Sequence, residues 1–302
     1  MKRRSTLVTL LTLSLLAPLG ALAQTGFSNL YVFGDSLSDN GNLATLPDYQ
    51  FLQNAPFDNG FCNGERAVEI LGERLALPVE PSFTGGTNYS VAGARASGLL
   101  PIDLSAQVAG FLVSHGGSAP SDALYLVFIG GNDIRDARDA VKESVANRLI
   151  KDATKAIDAN LRALIDKGAR SIMVVNSPDL GAIPESLVSR KLAQRATKMT
   201  NQFNSQLATK ISRIEQDTGI DLVTFDLFTF FQTVMNSNQA LGFTDKTDAC
   251  YDSLGLDYLG DCSFDKFDEY VFFDAIHPTA RVQERTGRAF YSVVPEPVQQ
   301  PD

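Results

Sequence analysis

The sequence predicts an α/β protein in which helices cover a parallel β-sheet. Two observations lead to this fold class: short apolar runs alternate with helix-like stretches along the chain, and two of those stretches are long enough to connect parallel strands. The long stretches extend from about Ile134 to Lys167 and from Glu185 to Gln216, which suits crossover helices. The length is compatible with one α/β domain, which we place at residues 24–294.

Five short apolar runs are the predicted strands. Each is bounded by glycine or polar residues, as expected of strands that are buried on both faces. In chain order they are Leu30 to Phe33, Asn88 to Ala92, Ala123 to Ile129, Ser171 to Asn176 and Asp221 to Phe225. Residues 241–268 are rich in Asp, Gly, Cys and aromatic residues without clean periodicity, which predicts a loop insertion that acts as a lid or a substrate wall.

The first 23 residues have the regions of an export signal. Basic residues at positions 2–4 precede an apolar run from Leu7 to Leu16, and Ala21-Leu22-Ala23 is a small-residue cleavage sequence. The apolar run is shorter than a membrane crossing requires. We therefore expect a signal peptide at residues 1–23, a secreted or periplasmic mature chain, and a disordered proline-rich tail at residues 295–302.

The charge balance disfavours nucleic acid as a partner. The chain has 26 Lys plus Arg against 35 Asp plus Glu, and removal of the signal takes away three basic residues, so the net charge changes from −9 to about −12. Binding to nucleic acid requires a basic surface that neutralises phosphates. The chain has only two histidines and lacks a closely spaced Cys/His set, so we expect no metal site.

Three cysteines allow one disulfide and one leftover thiol. Cys250 and Cys262 lie in the same Asp/Gly-rich stretch, and a short loop loses little entropy when it is closed. We predict that these two residues form the disulfide and that Cys62 is a free thiol.

A candidate nucleophile follows the first predicted strand. Ser36 lies in FGDSLSDNGN, residues 33–42, directly after the strand and so at the sheet edge where α/β proteins bind their ligands. A helix that begins just after Ser36 would favour negative charge beside its hydroxyl. The alternative is a Ser/Asp pair that only caps this helix. The stretch alone does not decide between the two.

His277 is the candidate base. It lies in FFDAIHPT, residues 272–279, where Asp274 can accept the Nδ1 proton and leave Nε2 free to take the hydroxyl proton of Ser36. The alternative is a carboxylate and histidine pair that only fixes a turn. The other histidine, His115, lies in SHGG and is predicted to be a solvated turn residue.

Two glycine-containing segments follow other predicted strands and are candidates for an oxyanion hole. One is Gly130-Gly131-Asn132-Asp133, and the other is NYSVAGA, residues 88–94, which contains Gly93. A tetrahedral intermediate requires hydrogen-bond donors, and glycine lets a backbone approach a ligand closely. Each segment alone fits an ordinary glycine turn. Their joint occurrence at one sheet edge favours the oxyanion hole.

These four blocks, in their order along the chain, resemble the GDSL or Ser-Gly-Asn-His (SGNH) hydrolase family, and within it the secreted lipase, esterase and lysophospholipase group of bacteria and plants. The resemblance extends from about Phe27 to about Phe290. It implies a flavodoxin-like three-layer α/β/α sandwich with a mainly five-stranded parallel sheet. It also implies a pocket wall at Asn176 to Gly181. The implied site consists of a triad, Ser36, Asp274 and His277, and an oxyanion hole, Ser36, Gly93 and Asn132.

The resemblance implies a secreted serine esterase or lipase that hydrolyses a small-molecule or lipid ester through an acyl-enzyme on Ser36, without cofactor or metal. An acyltransferase, or a lysophospholipase or choline-ester hydrolase, using the same site is an alternative. A non-catalytic secreted binding module is another. The chain contains no Trp, which disfavours recognition of choline by an indole face.

Overall fold

The computed structural model of the protein describes residues 26–237 and 241–295. The predicted signal peptide at residues 1–23 lies outside the described residues, as does nearly all of the predicted tail. The main sheet among the described residues has four parallel strands in sequential order. They are β1 (Leu30–Gly34), β2 (Leu124–Phe128), β3 (Ser171–Val175) and β4 (Val223–Phe225).

The second predicted strand, Asn88 to Ala92, does not form a full strand. It lies along the free edge of β1, where Asn88 makes an isolated parallel bridge to Val32. On its outer side the Asn88 carbonyl accepts a hydrogen bond from the Ser82 amide at 2.8 Å, and the chain turns at Gly93, whose φ is +86°. The described sheet therefore has four strands plus this bridge instead of five full strands.

Helices cover both faces of the sheet, because alternate strand residues enter two different apolar clusters. Tyr31 and Phe33 belong to the cluster on one face, whereas Leu30 and Val32 belong to the cluster on the other. The helices of the first face are α2 (Leu104–Ser114), α3 (Gly131–Asp139), α4 (Glu143–Asp166) and α6 (Arg190–Thr218). The helices of the second face are α1 (Ala67–Leu75) and α8 (Ala280–Tyr291). The predicted α/β fold with a parallel sheet is confirmed.

Each predicted crossover helix is divided into two helices. The first is interrupted at Ala140, whose backbone is extended, so that α3 ends and α4 begins. The second begins with the short helix α5 (Pro184–Leu187), and Ser189 then caps α6 by accepting a hydrogen bond from the Leu192 amide at 3.2 Å. The breaks matter for function, because α3 and α5 begin at residues that lie near the candidate site.

The predicted insertion at residues 241–268 contains short regular elements. After helix α7 (Leu227–Asn236), strand β5 (Asp245–Ala249) pairs with β8 (Tyr270–Phe272), and a small hairpin consists of β6 (Tyr251–Asp252) and β7 (Asp257–Tyr258). A 3-10 helix, Phe264–Glu269, follows. Cys250 and Cys262 form a disulfide, and Cys62 is a buried free cysteine, as predicted. A lid function for this segment stays a prediction.

Candidate active site

The structure brings Ser36, His277 and Asp274 together at the carboxyl end of β1. His277 Nε2 lies 2.8 Å from Ser36 Oγ, although the two residues are 241 positions apart in the chain. His277 Nδ1 lies 2.9 Å from each carboxylate oxygen of Asp274. Because an ionised carboxylate can only accept, Nδ1 carries the proton and Nε2 is free to accept the hydroxyl proton of Ser36.

The Asp274 carboxylate is buried and has several donors. Its Oδ1 accepts hydrogen bonds from the Ile276 and His277 amides, both at 2.8 Å, which closes the turn that carries the histidine. Its Oδ2 accepts a hydrogen bond from Ser253 Oγ at 2.8 Å. Burial alone would raise the pKa of Asp274, but the charge of His277 and the hydrogen bonds from His277 and the Ile276 amide outweigh burial and hold the pKa below its ordinary value.

The His277 ring is fixed from a second direction by Phe61. The two rings stack with centroids 5.0 Å apart and planes inclined by 14°. The ring is therefore held by Asp274 at one nitrogen and by an aromatic face at its side, with Nε2 directed at Ser36. Sequence reasoning missed Phe61, which lies in an irregular loop far from His277 in the chain.

Asp35 is a second buried carboxyl group beside the nucleophile. Its Oδ1 accepts a hydrogen bond from the Leu37 amide at 3.1 Å, and its carbonyl accepts hydrogen bonds from the Ser38 and Asp39 amides. Burial raises the pKa of Asp35 to about 6, although the Leu37 hydrogen bond and the charge of His277 act in the opposite direction. The tight turn that presents Ser36 therefore contains a carboxyl group that is unfavourable when ionised.

We expect Asp35→Asn to raise the free energy of unfolding at neutral pH. The folded-state pKa of Asp35 exceeds its ordinary value of 3.8, so the folded state binds the proton more tightly than the unfolded state and loses stability as pH rises from 3.8 to about 6. A shift of this size corresponds to an upper limit of about 3 kcal/mol. Urea unfolding of both proteins between pH 4 and pH 8 measures the difference.

The control for this prediction is Asp221→Asn at an exposed position. The difference in the free energy of unfolding between Asp35→Asn and wild type should be small near pH 4 and reach its full value above pH 6. An increase in the free energy of unfolding that is equal at all pH values, or a decrease at neutral pH, would contradict the assignment of an unfavourable carboxylate at Asp35.

Asn132 lies in the first turn of α3 at the same cleft, and its side-chain amide has a fixed orientation. Its Nδ2 donates to the Ala94 carbonyl at 2.9 Å, and its Oδ1 accepts from Arg135 Nη1 at 3.2 Å. Since an amide nitrogen carries two hydrogens, one remains for a ligand. Both Asn132 and Ser36 line the cleft, whereas Gly93 does not itself line it and lies next to Ala94. The two predicted oxyanion segments are thus in contact.

Asp39 joins the nucleophile loop to the loop that contains Gly93. Its Oδ1 accepts hydrogen bonds from the Gly41 and Asn42 amides at 2.9 and 2.8 Å, and its Oδ2 accepts one from the Ala92 amide at 2.8 Å. The side chain is 1% exposed. A buried carboxylate requires such partners. Sequence reasoning did not assign this role, although a polar residue so close to a buried strand could have suggested it.

Gln107 fixes the start of the nucleophile loop at Gly34, and Asp133 fixes the end of the Gly93 loop at Ala96 and Ser97. Gln107 Oε1 accepts a hydrogen bond from the Gly34 amide at 2.9 Å, and its Nε2 donates one to the Gly34 carbonyl at 2.7 Å. The side chain of Gln107 thus pairs with both backbone groups of the last residue of β1. Asp133 accepts from the Ala96 amide at 2.7 Å and from Ser97 Oγ at 2.7 Å. Neither residue could be assigned from the sequence, because each acts through a distant partner.

The cleft beside Ser36 is mostly apolar. It encloses about 700 Å³, part of which is open to solvent. The predicted pocket wall contributes Pro178 and Leu180. The remaining apolar side chains come from several elements around the site: Leu37, Phe128, Ile183, Leu227, Phe231, Phe272, Ile276, Pro278 and Val282.

His115 lies in a turn, as the sequence predicted, but it is half-buried instead of solvated. It is the residue that follows α2, and its Nε2 lies 2.9 Å from the Tyr31 hydroxyl. Its ring packs on Phe111 with centroids 4.4 Å apart. The predicted solvation was wrong because the helix that precedes the turn places the ring against Phe111 and the Tyr31 hydroxyl.

Two kinds of feature are absent from the described ranges, residues 26–237 and 241–295. No helix in them is both apolar enough and long enough to cross a membrane. Within the same ranges, no group of His, Cys, Asp and Glu side chains could hold a metal ion.

A serine, a histidine and a buried aspartate joined in this way at the carboxyl edge of a parallel sheet form the arrangement of a serine hydrolase. The family model described as GDSL-like Lipase/Acylhydrolase matches residues 30–290, and the chain belongs to that family. The family predicted from the four sequence blocks is therefore confirmed, and the protein is a GDSL esterase/lipase of the carboxylic ester hydrolases.

Individual relatives are similar at lower identity. The chain is 33% identical over 166 residues to Lipase 1 of Photorhabdus luminescens, and this alignment covers 53% of this chain and 23% of that protein. It is 27% identical over 341 residues to a GDSL lipase of Tanacetum cinerariifolium, which covers 96% of this chain and 91% of that protein. The chain thus spans about a quarter of the first relative and nearly all of the second.

The fold is shared with a solved structure at low identity. A variant of an acetyl-xylooligosaccharide esterase from Geobacillus stearothermophilus aligns with a TM-score of 0.50 at 14% identity, covering 92% of this chain and 100% of that chain. At this identity the similarity concerns the fold alone.

Proposed function

We propose that the protein hydrolyses carboxylic esters of apolar acyl groups in two steps through an acyl-enzyme on Ser36. The observation that carries this proposal is the hydrogen-bonded chain from Ser36 through His277 to Asp274 at the edge of an apolar cleft. In the first step Ser36 Oγ attacks the ester carbonyl while its proton moves to His277 Nε2. His277 then gives that proton to the leaving alcohol.

In the second step water replaces the alcohol. His277 removes a proton from the water, which attacks the acyl carbonyl, and the proton returns to Ser36 as the acid leaves. Asp274 stabilises the imidazolium form of His277 in both steps. The oxyanion accepts hydrogen bonds from Asn132 Nδ2 and from the backbone amide of Ser36, which both line the cleft. Gly93 does not line the cleft, so its amide stays a prediction from the family resemblance.

The cleft supports an uncharged, apolar acyl group as substrate. Arg135 is the cation that lines the cleft, but Glu185 neutralises it through two contacts, Nε to Oε2 at 2.9 Å and Nη2 to Oε1 at 2.5 Å. Apolar walls favour longer acyl chains, since each buried CH₂ contributes roughly 0.8 kcal/mol. We therefore propose that turnover of p-nitrophenyl esters rises from acetate to a medium chain length.

We further propose that the mature enzyme is exported after cleavage behind Ala23. The sequence of residues 1–23 supports this, and so does the Cys250–Cys262 disulfide, because such bonds persist in oxidising compartments. The N-terminal sequence of the protein recovered outside the cytoplasm tests the proposal. An intact Met1 in that fraction would contradict it.

Fluorophosphonate labelling and a substrate series test the proposed reaction together. The label should be found on the peptide that contains Ser36, and kcat/KM should rise with acyl length from two carbons upward. Preference for acetate would contradict the apolar acyl pocket but leave the acyl-enzyme in place. Product analysis with a long-chain alcohol present separates hydrolysis from acyl transfer, since only transfer yields a new ester.

Asn132→Ala tests the oxyanion hole apart from the triad. The side chain should donate to an oxygen whose charge exists mainly in the transition state, so its loss lowers kcat on the order of 100-fold to 1000-fold with little change in KM. Ser36 should still react with a fluorophosphonate, only more slowly. If Asn132 merely holds Ala94, the variant is destabilised by about 1 kcal/mol and kcat of the folded enzyme stays normal.

A further inference from the structure

Ser253 lies in the turn of the β6–β7 hairpin, which is attached to the strand that leads into the catalytic turn. The Cys250 amide donates to the Phe272 carbonyl at 3.2 Å, and the Tyr251 amide donates to the Phe273 carbonyl at 2.8 Å. Asp274 is the next residue after Phe273. The backbone therefore fixes the start of the hairpin beside the catalytic carboxylate.

Packing and a covalent bond hold the hairpin in this place. The ring of Tyr251 stacks on Phe273 with centroids 5.7 Å apart, and Phe267 stacks on the same ring at 5.4 Å. The disulfide between Cys250 and Cys262 closes the segment that contains the hairpin. Ser253 is half-buried, whereas the next residue in the turn, Leu254, is exposed. The hairpin thus presents the hydroxyl of Ser253 from an ordered support.

Ser253 donates to Asp274 from a different segment of the chain than the other donors do. The amides of Ile276 and His277 and the ring of His277 belong to the same turn as the carboxylate. Both amides donate to Oδ1, so Oδ2 has contacts with the His277 ring and with Ser253. Without Ser253, Oδ2 would have the ring as its one described partner, whereas Oδ1 would keep two amide donors and the ring.

We propose that Ser253 is a positioning residue for catalysis, whose hydroxyl holds Asp274 Oδ2 so that the carboxylate stays aligned with His277 Nδ1. This inference rests on the proposed function, since it assigns Ser253 a role in the same site. Ser253 donates a hydrogen bond and transfers no proton. It acts through Asp274 and touches neither substrate nor Ser36.

The hydroxyl also changes the basicity of the site. A donor to the carboxylate stabilises its ionised form, so its removal makes Asp274 a stronger base and strengthens its attraction for the imidazolium form of His277. Protonated His277 cannot accept the proton of Ser36. The acid limb of the pH profile should then move to higher pH. Asp35 is a second carboxyl group whose charge interacts with His277.

The experiment compares Ser253→Ala with Ser253→Thr and with Ser263→Ala. Ser263 is exposed in the same disulfide-bonded region and makes no side-chain cap for the 3-10 helix that follows it, so its substitution controls for changes in the loop. We expect Ser253→Ala to lower kcat roughly tenfold with KM within about twofold, because it loses a hydrogen bond to a charged group. Ser253→Thr should recover most of kcat, and Ser263→Ala should match wild type.

Two measurements distinguish positioning from simple stabilisation. The acid limb of kcat/KM should shift to higher pH in Ser253→Ala, and the proton resonance of His277 Nδ1 should broaden or move. A folded Ser253→Ala with normal kcat and an unchanged acid limb would overturn the proposal, whatever its melting temperature. If Ser253→Ala does not fold, Ser253→Cys, which keeps a weak donor, is judged by the same two measurements.

Failure of this inference can be separated from failure of the proposed function. If fluorophosphonate does not label Ser36 in wild type, the proposed function fails. If Ser36 is labelled and Ser36→Ala is inactive, but Ser253→Ala behaves like Ser263→Ala, the positioning role alone is wrong.

Discussion

Ser36→Ala is expected to lower ester turnover by at least about a thousandfold and to leave the fold intact. The members of a triad act as a unit, so loss of the nucleophile removes nearly all of the catalysis that the triad provides. The hydroxyl of Ser36 faces His277 Nε2 from a half-buried position, so few packing contacts are lost. Steady-state kinetics and thermal unfolding of the same preparation measure both effects.

Ser38→Ala is the matched control in the same loop. Ser38 is buried, and its Oγ has no hydrogen-bond partner among the residues that the structure describes. Its removal should therefore leave kcat within a few fold of wild type and should not prevent labelling of Ser36 by a fluorophosphonate. Residual activity of Ser36→Ala within tenfold of wild type, in a sample free of other esterases, would remove Ser36 from the role of nucleophile.

The positions of Ser36 and His277 were predictable because two local rules act together. A buried strand followed by glycine places the next polar residues at the ligand-binding edge of a parallel sheet. The chain then offers only two histidines, and only His277 has an aspartate three residues before it. The contact between residues 36 and 277 follows from these rules and from the order of the blocks, without knowledge of the intervening loops.

The residues that hold the site in place were less predictable. Asp39, Gln107 and Ser253 each act on a backbone or carboxylate group that is distant in the chain. A polar side chain in a loop or on a helix gives no sequence signal that distinguishes a buried tertiary hydrogen bond from an exposed surface position. Their roles depend on which loops meet, and the three-dimensional structure determines this.

The second predicted strand shows the same limit for the fold. Asn88 to Ala92 has a strand-like pattern and does run beside β1, with the Tyr89 amide donating to the Val32 carbonyl at 2.8 Å. On its other side, the side-chain nitrogen Nδ2 of Asn42 donates to the carbonyls of Asn88 and Ser90. A side chain from the nucleophile loop thus binds backbone carbonyls that would otherwise be free to pair with a further strand. Local pattern predicted the direction of this segment but not its partners.

His277→Ala and His115→Ala, which replace the two histidines of the chain, should affect different properties of the enzyme. His277→Ala should lower kcat of the folded enzyme by at least about a thousandfold, because Ser36 loses its base and the triad acts as a unit. It should also lower stability at neutral pH, since the buried Asp274 carboxylate loses the charge that holds its pKa down. Activity is therefore normalised to the folded fraction.

His115→Ala should show the reverse pattern. It removes a hydrogen bond to the Tyr31 hydroxyl and a ring that packs on Phe111, so the melting temperature falls while kcat per folded molecule stays near wild type. Because both variants delete an imidazole, each is the control for the other. Equal losses of kcat per folded molecule would show that the imidazole of His277 is not the base that activates Ser36.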